Sequence, residues 1–157
     1  MQRRHFLAIT GASALLPALP AWALTEASAT KLVNSLVSDV NKVITSGKSE
    51  QAMFSDFARI FARYSDTSYI SAYAMGADGR SASNAQKRAF SEAFQGYIAR
   101  KYGRRFREFE GGRLEVKSVR RVKNWYEVDT TAFLKGEAPF TVTFHVSNRT
   151  GRDLLFN

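Results

Sequence analysis

The chain has 157 residues, no cysteine, two histidines and a formal net charge of +9. This length is enough for one domain with a sizeable hydrophobic core. The absence of cysteine excludes disulfide bonds and thiol catalysis, so the fold must be stable through its core alone.

The first 23 residues have the pattern of a cleavable signal peptide. Arg3 and Arg4 precede an apolar run that ends in Ala21-Trp22-Ala23, a small-residue cleavage site. Pro17 and Pro20 break this run, which argues against a permanent membrane span. The paired arginines also fit a twin-arginine signal, so two export routes stay open. A cytosolic protein with an apolar N-terminus is the alternative.

Cleavage after Ala23 would remove two of the 23 basic residues and none of the 14 acidic ones, so the net charge falls from +9 to +7. His5 would leave with the signal, and His145 would be the one histidine of the mature domain, residues 24–157. A metal site or a catalytic triad built on histidine is therefore nearly ruled out.

The sequence pattern predicts three helices in the first half of the mature chain. Apolar residues recur at helical spacing over residues 32–44, and Gly47 follows as a stop. A second helix begins near Ser49, and a third follows Asp66 and ends near Gly76. The inner face of the second helix is expected to carry Met53, Phe54, Phe57, Ile60 and Phe61.

A fourth predicted helix is the most regular part of the chain. Ser83 and Gln86 form a capping box at its start, and Gly103 is its expected end. One stripe between them carries Phe90, Phe94, Tyr97 and Ile98. Nothing on this stripe would attack a carbon or hold a metal. It is either part of an ordinary core or an apolar surface that receives something.

After Gly111-Gly112 the hydrophobic period changes to two. Apolar residues occupy mainly even positions and polar residues odd positions, which is typical of antiparallel strands with one dry face and one wet face. Lys123-Asn124 and residues 135–138 are the expected turns, and a fourth strand begins near Arg152. The predicted fold class is α+β, with N-terminal helices packed on a curled antiparallel sheet of three to four strands.

Several of these segments resemble one known family. They are the early amphipathic helix, the motif Ala82-Ser83-x-x-Gln86-x-x-x-Phe90-x-x-x-Phe94-x-x-x-Ile98-x-x-x-Tyr102, and the strands LEVKSVRRV, WYEVDTTAFL and PFTVTFHVSN. In this order they resemble the MlaC, or toluene-tolerance, family of periplasmic phospholipid-binding proteins over roughly residues 24–157. That family usually continues beyond the segment GRDLLFN with a further strand segment and a closing helix. We therefore expect this chain to be a C-terminally incomplete member.

The resemblance implies a non-catalytic function without cofactors. Such a protein is a periplasmic phospholipid carrier and the substrate-binding component of an ABC transport system that maintains outer-membrane lipid asymmetry. The implied partners are phospholipid, an inner-membrane ABC transporter complex with an MCE-domain subunit, and an outer-membrane lipoprotein complex. Nucleic acid is not among them.

A lipid carrier needs a deep, dry cavity and no reactive group, because exposing acyl chains to water costs about 0.8 kcal/mol per methylene. Apolar side chains of the helices and of the even sheet positions would form its two walls. The predicted lipid-binding residues are Phe54, Phe57, Phe61, Phe90, Phe94, Ile98, Val116, Val128, Ala132, Val142 and Phe144. Each of them would also suit an ordinary core.

Basic residues cluster after the fourth helix, and Arg104, Arg105 and Arg107 are predicted to form a basic rim. Such a rim would attract lipid phosphates or acidic surfaces of partner complexes. A solvated charged face is one alternative. An exported basic module that binds acidic partners without lipid cargo is another. A third is nucleic-acid binding, against which the signal peptide argues.

Catalysis is the least favoured class. Glu127, Asp129 and His145 all fall on the odd, wet face of the predicted sheet. Arg120 is the one charged residue whose even position places it on the dry face. A twist or bulge at the strand end would turn its side chain outward.

Overall fold

The computed structural model describes residues 23–105, 109 and 111–157. The predicted signal peptide therefore lies almost wholly outside the described residues, and so does Arg107. At Arg104 and Arg105 the helical backbone alone is described. None of the helices in the described part of the chain is both long and apolar enough to cross a membrane.

The first two helices begin at capping residues that the sequence contains. Helix α1 (Glu26–Ile44) starts with a capping box, in which Thr25 and Ser28 accept hydrogen bonds from each other's amides at 3.0 and 3.1 Å. Helix α2 (Glu50–Tyr64) starts at Ser49, whose hydroxyl accepts from the Ala52 amide. The predicted start near Ser49 is confirmed.

Helices α3 (Thr67–Met75) and α4 (Asn84–Arg105) are joined by a 3-10 helix, Gly76–Arg80. Asp66 caps α3, and Gly76 ends it with a φ of +60°. Before α4, the Gln86 side chain accepts from the Ser83 amide at 2.8 Å, and the Ser83 hydroxyl accepts from the Gln86 amide at 3.3 Å. The predicted capping box is confirmed.

The predicted end of α4 at Gly103 is wrong, because the helix continues to Arg105. Gly103 is buried inside the helix and lies directly against the ring of Phe54 on α2. A Cβ atom at position 103 would come within 2.1 Å of Cδ1 of Phe54. Glycine is therefore required here for the close approach of two helices, and it does not stop the helix.

We expect Gly103→Ala to lower the free energy of unfolding by about 1–3 kcal/mol, the usual cost of overpacking a tight contact. Gly96→Ala on the same helix is the matched control, because its new methyl group would meet only the mobile end of Arg100. There the gain in helix propensity should make the change neutral or stabilising by about 0.5–1 kcal/mol. Chemical denaturation of both variants checks this, and equal stabilities would contradict the tight contact.

The second half forms one four-stranded antiparallel sheet that is not closed. Its strands are β1 (Arg113–Val122), β2 (Trp125–Phe133), β3 (Phe140–Ser147) and β4 (Leu154–Leu155), and they pair in chain order. Strand β2 alternates between half-buried and buried residues along its whole length. The α+β prediction is confirmed.

A bulge in β1 changes which face its later residues occupy. Val116 pairs with Thr130 and Ser118 with Asp129, which leaves Lys117 as the extra residue. Beyond it, Val119 packs against the core, whereas Arg120 is exposed and makes an ion pair with Glu127. The simple even-odd assignment is therefore wrong for Ser118 and Arg120. The predicted outward turn of Arg120 is confirmed, and the bulge causes it.

Helix α1 covers one part of the sheet and supplies much of the core. The core includes Ala29, Val33, Leu36, Val37 and Val40 of α1, Met53 and Ile60 of α2, and Val128, Ala132 and Val146 of the sheet. A polar contact lies beside it: the side chain of Asn41 bonds both the amide and the carbonyl of Leu114 on β1, at 3.0 and 3.2 Å.

A second polar contact joins α1 to α2. The Tyr64 hydroxyl donates to Oδ2 of Asp39 at 2.6 Å. This hydrogen bond is the main reason why the pKa of Asp39 lies below its usual value, while burial, more than the nearby carboxylate, raises the pKa of Tyr64. This hydrogen bond links the two helices beside the sheet.

Candidate functional site

An apolar cavity of about 440 Å³ lies between the helices and the sheet. Cavities of a few hundred cubic ångströms are the usual size for binding small organic molecules. The residues that line it are Leu36, Val40, Phe57, Ile60, Phe61, Ser65, Ile70, Ile98, Tyr102, Phe109, Leu114, Phe140, Val142, Phe144, Leu155 and Asn157.

The helical wall is centred on α2. Phe57, Ile60 and Phe61 are three and four residues apart, so they project from one face of the helix into the cavity. The ring of Phe57 lies 6.2 Å from that of Tyr102 on α4, measured between centroids. The amphipathic pattern of α2 therefore places two aromatic rings on the cavity wall.

The sheet wall is centred on β3. Phe140, Val142 and Phe144 alternate along this strand and therefore share one face. Strand β4 pairs only with Val146 and Ser147 of β3. The side chains of the earlier β3 residues stay half-exposed, and Phe140 is 40% exposed. This end of β3 is the mouth of the cavity.

No charged side chain is present among the described residues that form the cavity wall. Its polar members are Ser65, Tyr102 and Asn157. The Ser65 amide donates to the Phe61 carbonyl, and the Asn157 carbonyl accepts from the His145 amide at 2.9 Å. Because few polar groups face inward, the wall favours hydrocarbon over water. Such a wall can bind an apolar ligand by burying the ligand's surface.

The structure brings five of the predicted lipid-binding residues together on this cavity, namely Phe57, Phe61, Ile98, Val142 and Phe144. The other six lie elsewhere. Val128 and Ala132 are fully buried in the core, and Val116 packs against it. Phe54 rests on Gly103, and Phe90 and Phe94 stack on each other along α4. Contact of any of these residues with lipid stays a prediction.

Other cavity residues were not among those predicted. Leu36 and Val40 belong to the periodic apolar stripe of α1, and Ile60 to that of α2, so periodicity marks them as inward-facing. Leu155 follows the predicted start of the fourth strand. Periodicity does not tell a cavity wall from a filled core.

The predicted basic rim begins two residues after a cavity residue, Tyr102. Arg104 and Arg105 follow Tyr102 within the last turn of α4. Their backbone is thus close to the cavity wall, whereas Arg107 lies outside the described residues. The role of the three arginines stays a prediction.

The charged residues of the wet face bond to other polar residues of that face, away from the cavity. Asp129 accepts hydrogen bonds from Thr143 at 2.7 Å and Ser118 at 3.0 Å, which lower its pKa. Nε2 of His145 lies 3.8 Å from a carboxylate oxygen of Glu127. No group of three or more histidine or acidic side chains in the described ranges is placed to hold a metal ion.

Comparison with known proteins identifies both the family and the fold. The sequence model of the family described as MlaC protein matches residues 31–157. A phospholipid-binding protein from Ralstonia solanacearum, solved in complex with a phospholipid, superposes with a TM-score of 0.71 at 19% sequence identity. The superposition covers 82% of this chain and 75% of the other. No curated protein matches this chain.

Proposed function

Because this chain belongs to the MlaC family, we propose that it is a carrier that holds phospholipid acyl chains in the cavity between the helices and the sheet. The apolar cavity of about 440 Å³, whose lining includes no charged side chain, is the observation that carries this proposal. A similar fold in a protein bound to phospholipid supports it. The protein transports its ligand unchanged and is not an enzyme.

The energetics of lipid transfer explain why such a cavity is needed. A phospholipid with about 30 methylenes would forgo on the order of 20 kcal/mol if its chains were left in water. An apolar wall replaces the bilayer for the chains. A charged headgroup gains nothing from that wall, because burying an unpaired charge is costly. The headgroup therefore stays outside the mouth, next to Phe140.

The wider role proposed here is transport across the periplasm. The protein would act with an inner-membrane ABC transporter that bears an MCE-domain subunit and with an outer-membrane lipoprotein complex. The process would keep the outer membrane asymmetric. The family and the pattern of the first 23 residues support this role.

Lipid extraction tests the carrier proposal. The protein is purified from an envelope fraction under mild conditions, extracted with organic solvent and analysed by mass spectrometry. We expect close to one phospholipid per chain. A lipid-free preparation that also takes up no lipid from liposomes would refute the proposal. Phosphate release or fatty-acid release from the liposomes would indicate an enzyme instead.

The location has its own test. Because the signal-peptide pattern ends at Ala23, the N-terminus of the protein isolated from cells should be Leu24, and the protein should be released by osmotic shock. Edman sequencing of the released protein checks both points. Recovery of a chain that retains Met1 in the cytosolic fraction would overturn the periplasmic role.

The basic rim should govern delivery more than binding, because charge at a rim mainly changes encounter rates. Replacing Arg104, Arg105 and Arg107 by glutamate should leave bound lipid in place and slow its transfer to the transporter about tenfold or more at low salt. The control reverses three charges elsewhere, at Lys31, Lys135 and Arg152. Equal transfer rates for both triple variants would indicate that the rim is only a solvated charged surface.

A further inference from the structure

Helix α4 carries an aromatic stripe that neither the core nor the cavity uses. Phe90, Phe94 and Tyr97 are spaced by four and three residues, so they lie along one face of the helix. Their ring centroids are 5.9 Å and 6.5 Å apart in succession. The three side chains are absent from both the core cluster and the cavity wall.

The stripe is partly exposed: Phe90 and Phe94 are half-buried, and Tyr97 is exposed. Among the described side chains of α4, Ala99 and Gly103 are the buried ones, and Gly103 contacts α2. Phe90 lies nine positions, or two and a half turns, before Ala99 and so on the opposite side of the helix from it. Phe94 lies one turn before Ile98, so the stripe borders the cavity wall. Tyr97 is 51% exposed.

The charges beside the stripe have one sign. Nζ of Lys101 lies 5.7 Å from the centre of the Tyr97 ring, and Arg100 is exposed on one flank. Lys87 is exposed on the other flank, where it also lines the groove between α3 and α4. None of these three cations forms an ion pair with a described residue. The one acidic residue between positions 84 and 103 is Glu92, which lines the groove between α3 and α4.

We propose that this outer face of α4 docks the protein on the surface of an anionic phospholipid bilayer. Aromatic side chains favour the interface between headgroups and acyl chains, and neighbouring lysines and arginines are attracted to anionic lipids by about 1 kcal/mol each. The stripe runs along a single helix as successive ring contacts, an arrangement that suits a fluid interface.

Docking by this face goes beyond carrying lipid, because the surface is distinct from the cavity. It would nevertheless serve transfer. Helix α4 also contributes Ile98 and Tyr102 to the cavity wall. A protein lying on the bilayer through α4 would hold that wall close to the membrane.

Vesicle flotation tests the proposal with the mature protein. One set of vesicles is phosphatidylcholine alone, and the other contains about one third phosphatidylglycerol. We expect the protein to float with the anionic vesicles and to be released by high salt. Failure to float with anionic vesicles at low salt would overturn the proposal.

Two double variants locate the surface. Phe94→Gln with Tyr97→Gln removes the stripe, and Lys87→Glu with Lys101→Glu reverses its charges. Each should weaken vesicle binding at least about tenfold. The control, Lys31→Glu with Lys135→Glu, makes the same charge change on exposed residues elsewhere and should bind like the parent protein. Equal binding by all variants would overturn the proposal.

A conservative variant provides a readout that does not depend on losing binding. Tyr97→Trp should shift its fluorescence emission to shorter wavelength with anionic vesicles, and an unchanged spectrum would contradict insertion of the stripe. Sedimentation without lipid checks for self-association. A dimer that the stripe variants abolish would identify a second copy as the occupant and overturn bilayer docking. Co-purified phospholipid should be unchanged in the stripe variants, which separates this test from that of the carrier proposal.

Discussion

Replacing Val142 with glutamate is expected to empty the cavity while leaving the protein folded. Val142 lies on the sheet wall, in the half-exposed part of β3 near the mouth, so the fold does not depend on its complete burial. A carboxylate there would lose water whenever an acyl chain entered, at a cost of several kcal/mol. We expect lipid affinity to fall more than about 100-fold, since each 1.4 kcal/mol is a factor of ten. Mass spectrometry of the purified variant measures the loss.

The neighbouring residue supplies the matched control. Thr141 is exposed on the same strand and faces the opposite side of the sheet. Thr141→Glu makes the same change in charge one residue away, and this variant should retain lipid at the level of the parent protein. Thermal unfolding of both variants verifies that they are folded. Retention of lipid by Val142→Glu at the parent level would show that the cavity is not the lipid site.

Local signals account for the accuracy of the helix predictions. Ser49, Asp66 and Ser83 each satisfy an amide at a helix start through their own side chain, so the boundary is encoded by a few neighbouring residues. The strand predictions also rest on local signals, because a hydrophobic period of two requires only that one face of the sheet be buried. These interactions do not depend on distant parts of the chain, and the sequence therefore reveals them.

The errors in the fold have a different origin, because they arise where distant parts of the chain meet. A glycine at the end of a regular pattern normally predicts a helix stop, yet Gly103 is inside α4 because Phe54 of another helix approaches it. The bulge at Lys117 has no glycine or proline to mark it. The even-odd rule therefore runs through it and assigns the wrong face to Ser118 and Arg120.

The candidate site was predictable only in part for the same reason. Val128 and Val142 have the same parity and share the dry face of the sheet, but Val128 is fully buried in the core and Val142 lines the cavity. The even or odd position of a residue predicts which face of the sheet it occupies. Only the tertiary arrangement decides which part of that face is packed as core and which part lines the cavity. Likewise, the spacing of Phe90 and Phe94 reveals the stripe on α4 but not that both residues lie outside the core and the cavity wall.

Asn41 is a polar residue that no local pattern singles out, and it is expected to have a large effect on stability. Strand β1 is an edge of the sheet, so the backbone groups of Leu114 that point away from β2 have no strand to pair with. The Asn41 side chain accepts from the Leu114 amide and donates to its carbonyl. It thereby replaces a neighbouring strand at this position and fastens α1 to the sheet.

Asn41→Leu keeps the approximate shape of the side chain and removes both hydrogen bonds. Two partly buried backbone groups would then lack partners, and leaving such a group unsatisfied costs about 1–3 kcal/mol. We expect the free energy of unfolding to fall by about 2–4 kcal/mol and the Tm by about 5–15 °C. Asn34→Leu, at an exposed position on the same helix, should change stability by no more than about 0.5 kcal/mol.

The same substitution should also weaken lipid retention, because Leu114 is itself a residue of the cavity wall. Loosening the first residues of β1 would let this wall move away from α1 and admit water beside the acyl chain. We expect the lipid content of Asn41→Leu to decrease even at temperatures well below its Tm, whereas Asn34→Leu should match the parent. A variant that loses stability and keeps its full lipid content would show that Asn41 fastens the helix to the sheet without shaping the cavity.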